Sequence, residues 1–554
     1  MLKSSPLSKT VLALLFLAWI MPGLIYRDLW KADEPYSFGI VNHIITTGDW
    51  VVPTIAGEPF LEKPPLFYLT GAITAKLFSQ WLPLHDAARL ASGFYAFLTL
   101  LFVSLTAREV YGRGYGTLAA IILLGAAGLQ TKAHKFITDV SLIAGFAMAF
   151  YGMALSKRKA TWGGFWIGTG TGVGFLSKGL LAPGLIGMIA LTLPALFSAW
   201  RKKSYFMSLL VSLASALPWL VIWPLALYLR SRDLFIEWFW YQNLGRFLGY
   251  AHVGREFSPT YYLTNLPGFA FPVLFFALWA LWSQRRYWRE HAVYQLPLAA
   301  FLVMLAFFSF SSSIRNIYAL PMLLPLTLIA AAGADALQGD KRSVHILNRS
   351  ITSLFGMLGG LLWLCWFALI TGHPVFLADK LLYLRPDYSP DFIGTLFAVA
   401  VVYTMAWIAA AAYLNHAGHH PAVNWAVGIV FVWSLAMTIM LPWIDAGVGY
   451  RSLCTSFRKA LPAHYRSIAG DGLGESERAM LEYYAGITTR QVTPTGGTGD
   501  ADLLLMWSGS KPQDPAHIEN WRLIWEGKIY RDRDQVKEIF RLYQKLPDDD
   551  DADA

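Results

Sequence analysis

The sequence predicts an α-helical polytopic membrane protein of about thirteen transmembrane helices, with a small C-terminal α/β domain outside the cytoplasm. Three observations predict it. Of 554 residues, 55% are hydrophobic and 15% charged, where a soluble chain carries roughly a quarter charged residues, and the mean hydropathy is +0.43. Apolar runs near the length a bilayer requires, about 20 residues, recur along the chain. Lys and Arg alternate between the loops that join those runs, as they do in membrane proteins. Gly and Pro are spread through the sequence, so low complexity does not account for the bias.

The runs are 9–26, 85–107, 115–131, 138–155, 161–176, 179–199, 205–229, 261–282, 293–310, 317–337, 352–371, 391–414 and 424–443. A further stretch, 65–81, follows two prolines and is short and amphipathic, as an interfacial helix is. The first run has a basic start, Lys3 and Lys9, but Tyr26-Arg27-Asp28-Leu29-Trp30 follows it instead of a small-residue cleavage site. It is read as an uncleaved first membrane helix.

With the N-terminus in the cytoplasm, the inner segments hold Lys3, Lys9, Arg108, Arg113, Lys157, Arg158, Lys159, Arg201, Lys202, Lys203, Arg285, Arg286, Arg289, Lys341, Arg342 and Arg349. The alternate short loops hold only Lys132, Lys135, Lys178 and Arg315. Acidic residues have the opposite bias: Asp28, Asp33, Glu34, Asp49, Glu58, Glu62, Asp86, Asp139, Asp233, Glu237 and Glu256 all fall on the outer side. Chemistry is therefore expected there.

Two domains follow, 1–443 in the membrane and 444–554 outside it. The first contains an outer loop at 27–64 and a long outer loop at 230–260. The tail carries 14 Lys/Arg against 18 Asp/Glu and ends in an acidic run. Apolar spacing predicts helices at 451–468, 474–485 and 533–545, with strands at 502–507 and 521–525. Cys365 sits in an apolar run and Cys454 in the polar tail, so neither a disulfide framework nor a cysteine metal site is expected.

The 27–64 loop is the most informative stretch. Asp33-Glu34-Pro35 follows the first run, and Glu62-Lys63-Pro64-Pro65-Leu66 precedes the interfacial helix. A carboxylate at a membrane surface can serve as a general base or bind a metal. Asp-Glu-Pro equally describes an ordinary helix start.

These two segments resemble the membrane-embedded glycosyltransferases of the protein-mannosyltransferase (GT-C) superfamily. Four further segments agree in order: Phe136-Ile137-Thr138-Asp139-Val140-Ser141-Leu142, Gly174-Phe175-Leu176-Ser177-Lys178-Gly179, Asn243-Leu244-Gly245-Arg246-Phe247 with His252, and Ser311 to Pro321 around Arg315, Tyr318 and Leu320. The resemblance covers about 10–340. One departure is Ile314, where a second basic residue commonly precedes the Arg. The span count and outer tail are most similar to the transferases that place 4-amino-4-deoxy-L-arabinose on lipid A, a lipopolysaccharide modification tied to polymyxin resistance.

The resemblance implies an inverting transfer from an undecaprenyl-phosphate sugar at the periplasmic face of the inner membrane. Asp33 would act as base or orienting group, with Glu34 beside it. Glu62 would hold the sugar's amino group, pair with Lys63, or ligate a cation. Lys63, Arg246, Arg315 and Lys178 would cradle phosphate, since a departing phosphate monoester needs ammonium or guanidinium donors. Tyr36, Tyr68, Asp139 and Tyr318 would line the cavity. Lys132 and Lys135 also stand against the positive-inside trend, as do the four cations just named.

No cofactor is required; a divalent metal is admitted, with Glu62 and His252 the pair to test. His43 and His134 lie near outer acids without metal-ligand spacing. Partners are a polyprenyl-phosphate sugar, lipid A or another lipid or protein acceptor, and membrane lipids. Nucleic acid is not among them, and the chain is read as a monomer. Two alternatives stand beside this reading: a transferase of the same superfamily acting on protein hydroxyls or another glycan, and a transporter of lipid-linked sugar. No internal repeat of the transporter kind is evident.

Overall fold

A computed structural model describes residues 9–245, 258–283, 285, 293–311, 314–333, 341–417, 420–492, 501–510 and 520–546. Each of the thirteen apolar runs falls on helix. The chain begins with α1 (Lys9–Ile20), α2 (Asp33–Thr47), α3 (Leu66–Phe78) and α4 (Leu84–Tyr111). Then come α5 (Tyr115–Leu124), α6 (Ala127–Gln130), α7 (Asp139–Leu155), α8 (Ala160–Lys178), α9 (Leu181–Leu196) and α10 (Lys203–Arg230). After these follow α11 (Arg232–Ile236), α12 (Tyr261–Phe269), α13 (Val273–Ser283), α14 (Gln295–Ser309) and α15 (Leu323–Ala332). Helices Lys341–Thr371, Gly394–Ala417 and Pro421–Ala436 complete the apolar part.

Among the described residues, four helices are long and apolar enough to cross a bilayer by themselves: Leu84–Tyr111, Lys203–Arg230, Arg342–Thr371 and Gly394–His416. Two more spans arise if each bent pair, Tyr261–Phe269 with Val273–Ser283 and Pro421–Ala436 with Leu441–Val448, counts as one. Other apolar helices run 10–17 residues. The protein is integral and multi-pass. Exposed Leu, Phe and Ile on α10, such as Leu213, Leu217, Ile222 and Leu229, are what a lipid-facing helix requires.

α7, α8 and α10 pack in a row whose closeness depends on glycine. A Cβ on Gly145 would stand 2.7 Å from the Gly170 carbonyl oxygen and 2.8 Å from the Gly174 nitrogen. Small residues allow such backbone approach in membranes, where packing replaces the hydrophobic drive. The consequence is a fixed antiparallel pair in which the N-terminal end of α7 meets the C-terminal end of α8.

The tail forms a five-stranded sheet of order β4-β3-β5-β7-β6. Its strands are β3 (Ile468–Asp471), β4 (Arg490–Gln491), β5 (Leu503–Ser508), β6 (Trp521–Asp532) and β7 (Gln535–Lys545); a two-stranded hairpin in the first loop supplies β1 (Thr54–Ile55) and β2 (Glu58–Pro59). β3 is parallel to β4 and β5, while β7 runs antiparallel to β5 and β6. The helix expected at 533–545 is instead β7. It pairs with β5 over Ile539 to Gln544, with Leu504 opposite Tyr543 and Trp507 opposite Phe540. The 451–468 helix stops at Ala460. The segment expected as helix at 474–485 is a short helix, Glu475–Met480, continued by a wide turn to Ala485.

The sheet and its helices sit on the first outer loop. Lys31 pairs with Glu538 at 2.9 Å, Asp28 with Arg451 at 2.7 Å, and Glu58 with Arg478 at 2.9 Å. The Ser476 hydroxyl donates to the Ala32 carbonyl at 2.7 Å. The tail is thus one wall of the region where the resemblance places chemistry.

Candidate active site

Asp33 and Glu34 open α2, where carboxylates meet the positive end of the helix. Successive residues on a helix point about 100° apart, so the two acids face different surroundings. Asp33 is half-buried. Its Oδ1 accepts from the Tyr36 hydroxyl at 3.2 Å and lies 3.4 Å from Arg315 Nη2.

Glu34 turns inward and is completely buried. Arg27 grips it with two bonds of 2.6 Å. The amide of Trp30 donates to one oxygen at 2.8 Å and that of Phe136 to the other at 2.7 Å. Arg89 Nε stands 3.6 Å away and itself pairs with Asp86 at 2.6 Å. Burial works to raise the Glu34 pKa, but Arg27 and Arg89 overcome it and hold the group at about 2. With both oxygens occupied and no route to solvent, Glu34 is a structural tie between α2, α4 and the turn before α7. This corrects the expectation that it stands beside Asp33 in the chemistry.

Lys63 enters from the opposite side of the loop, where Pro64 and Pro65 fix the approach to α3. It is buried, donates to the Tyr36 hydroxyl, and lies 4.8 Å from that ring's centroid. Burial works to lower its pKa, but its anionic surroundings, Glu62, Asp139 and Asp33 among them, raise it overall. The converse holds for Asp33: burial raises its pKa, while Lys63, Arg315, Tyr36 and Lys178 bring it below the ordinary carboxylate value. Both groups are charged at neutral pH.

The glycine-packed pair of α7 and α8 brings Asp139 beside Lys178, and the two form an ion pair. Each stands on the helix end whose dipole favours its charge. Gly179, with φ +65°, stops α8 directly after Lys178. The Lys178 ammonium also sits 4.5 Å from the Tyr318 ring centroid. Arg315 comes from the stretch before the Asn316–Met322 turn, where its carbonyl accepts from the Tyr262 hydroxyl at 3.1 Å.

Asp33, Tyr36, Glu62, Lys63, Asp139, Lys178, Arg315 and Tyr318 therefore meet in one cluster, drawn from four separate stretches of sequence. Tyr68 is different: it is fully buried against Phe67 and presents no ring to a substrate, so it supports the cluster from behind. Arg246 and His252 lie outside the described residues, and so does the proposed Glu62–His252 metal pair. Among the described residues, no group of three or more His, Cys, Asp or Glu is placed to hold a metal ion. His134 is buried, its ring nitrogens 3.1 Å and 2.9 Å from the Gln130 and Trp19 carbonyls, and His43 lies on α2 toward Asp49.

The Arg27–Glu34–Arg89–Asp86 network escapes the sequence reading. The signal that singled out Lys63 and Arg315, basic residues in segments expected to lie on the outer side, applies equally to Arg27 at the end of the first run.

Comparison with known proteins finds similar sequences and a similar fold. Residues 62–223 match the family described as dolichyl-phosphate-mannose-protein mannosyltransferase. An undecaprenyl phosphate-alpha-4-amino-4-deoxy-L-arabinose arabinosyl transferase from Aeromonas hydrophila is 27% identical over 366 residues, 64% of each chain. The one from Pseudomonas savastanoi pv. phaseolicola is 28% identical over 469 residues, 78% of this chain and 76% of its own. Matches thus span from about two thirds to three quarters of these relatives. The crystal structure of ArnT from Cupriavidus metallidurans bound to undecaprenyl phosphate superposes with a TM-score of 0.69, covering 96% of this chain and 97% of that one at 18% identity.

The fold is that of the ArnT structure, a membrane-embedded fold of the GT-C type. In sequence the chain is similar to undecaprenyl phosphate-aminoarabinose arabinosyl transferases.

Proposed function

We propose that this protein transfers 4-amino-4-deoxy-L-arabinose from undecaprenyl phosphate to a lipid A phosphate at the periplasmic face of the inner membrane. The observation that carries the reading is the convergence of Lys63, Lys178 and Arg315 on Asp33 at the helix ends. Such a site can bind a phosphodiester and hold an acceptor oxygen in line with it.

In this reading an oxygen of the acceptor phosphate attacks the anomeric carbon. The bond from that carbon to the carrier phosphate breaks, its electrons leaving with the carrier as a phosphate monoester, and the configuration inverts. Lys63 and Arg315, with Arg246, compensate the charge that develops on the leaving phosphate. The acceptor is already anionic, so Asp33 orients it and the sugar more than it removes a proton. Glu62 faces the sugar's amino group.

Lys63→Met removes one charge from the departing phosphate. The expected result is a loss of kcat of about a hundredfold, the scale of losing one preorganised electrostatic donor, measured in reconstituted membranes. Near-normal kcat would contradict the assignment. The proposal also includes thirteen spans, a cytoplasmic N-terminus, a periplasmic tail from about 444, and a monomeric chain. Cysteine labelling in intact spheroplasts is expected to modify a cysteine placed at Asn520 and to spare one placed at Arg342.

A further inference from the structure

We infer that Lys132 and Lys135 form a docking site for the phosphate of the acceptor lipid, beside the donor cluster and distinct from it. The inference rests on reading that cluster as a sugar-transfer site, and it names the acceptor side of it.

The two lysines lie on the turn between α6 and α7, and this turn is held unusually firmly. Arg27 donates to the His134 carbonyl at 2.7 Å, and the Ser92 hydroxyl to the Lys135 carbonyl at 2.8 Å. The Phe136 amide is fixed on Glu34. The amides of Lys132 and Ala133 both return to the Leu129 carbonyl, at 3.0 Å and 2.8 Å. Ala133, His134 and Phe136 are buried by these ties, whereas Lys132 and Lys135 are left half-buried at the surface. A turn held on its inner side therefore presents two lysines from fixed backbone positions.

Charge balance says what they are for. Inside the cluster, Asp33, Glu62 and Asp139 stand against Lys63, Lys178 and Arg315, with Lys178 paired to Asp139 and Arg315 to Asp33. Bringing an anionic nucleophile next to those three carboxylates is costly unless further cations receive it. Among the described residues, Lys132 and Lys135 make no ion pair or side-chain hydrogen bond. The turn that carries them runs directly into Asp139 at the start of α7 and is held through Phe136 to Glu34, the neighbour of Asp33, which sets it beside the cluster. Burial and the like charge of Lys135 both disfavour the ammonium form of Lys132, a tension that a phosphate would relieve. Lysine binds phosphate as a compact charge that several geometries satisfy, as suits a headgroup that must approach and leave.

The test uses the full chain in phosphatidylcholine nanodiscs, comparing the wild type with Lys132→Gln/Lys135→Gln and Lys132→Arg/Lys135→Arg. The Gln pair is expected to raise the KM and Kd for lipid A about tenfold or more, in keeping with the loss of charge-assisted contacts. The donor KM stays within about twofold, the Arg pair restores acceptor binding, and dephosphorylated lipid A binds all three alike. An unchanged acceptor KM, or an equal rise in donor KM, overturns the inference. Equal weakening for phosphatidylglycerol also overturns it, because the lysines would then be a general bilayer contact. A wild type that binds lipid A through these lysines yet forms no product supports the docking site and contradicts the transfer reaction.

Discussion

Asp33→Asn is expected to lower sugar transfer by two or more orders of magnitude while leaving the protein folded, since orienting and electrostatic groups are worth about this much. The reasoning is local. Asp33 is half-exposed, its partners Tyr36 and Arg315 reach it at 3.2 Å and 3.4 Å, and Asn keeps its shape. What Asn removes is the negative charge that Lys63 and Arg315 maintain across the working pH range. Single-turnover transfer with saturating donor separates this from binding: the rate of the chemical step falls, while retention of undecaprenyl phosphate is little changed. Because the folded pKa is lowered, activity that depends on ionised Asp33 persists below the pH at which an ordinary carboxylate protonates, and is lost only on further acidification.

Glu34→Gln, one residue away, is expected to damage the fold instead. The substitution leaves the buried Arg27 without its carboxylate and the buried Arg89 with Asp86 alone. Removing one partner of such a network costs about 3–5 kcal/mol. Thermal unfolding in detergent reads this directly. A loss of transfer with unchanged thermal stability would place Glu34 in the chemistry after all. The pH dependence carries the same sign. The folded pKa of about 2 lies below the ordinary 4.5, so the stabilisation is complete above about 4.5. It is about 3 kcal/mol and fades as pH falls from there toward 2.

The contrast between these neighbours explains what the sequence could and could not reveal. Hydropathy located the long apolar helices Leu84–Tyr111, Lys203–Arg230, Arg342–Thr371 and Gly394–His416, because about twenty apolar residues in a row leave a clear trace. It could not foresee the break between Phe269 and Val273, or that between Ala436 and Leu441, where the two halves bend by 100° and 69°. Pro272 in the first break and Pro442 at the second mark where a helix is interrupted, but not the angle its two halves then take. Lys63, Lys178 and Arg315 stood out in sequence because each is a cation placed against the positive-inside trend, whereas Asp33 and Asp139 stood out only through the segments that carry the resemblance. Glu34 looked identical to Asp33 in sequence, and only the arrival of Arg89 and of the 134–136 turn separates them. The final hairpin was misread for a simpler reason. Val536, Ile539, Phe540 and Leu542 fit a helical stripe, yet pairing with β5 and β6 supplies the partners that make a strand.

The docking of the tail on the first loop has the same origin. Lys31, Asp28 and Glu58 pair with Glu538, Arg451 and Arg478, contacts that join the two ends of the chain and that no local pattern encodes. They fix the segment from Asp28 to Asp33 from outside, as Glu34 fixes it from within.

The most direct measurement is mass spectrometry of lipid A incubated with the purified protein and undecaprenyl-phosphate-linked 4-amino-4-deoxy-L-arabinose. The account predicts lipid A carrying one added aminoarabinose on phosphate, with inverted anomeric configuration, and almost none with Asp33→Asn. Unmodified lipid A from the wild type, or equal product from Asp33→Asn, would contradict it.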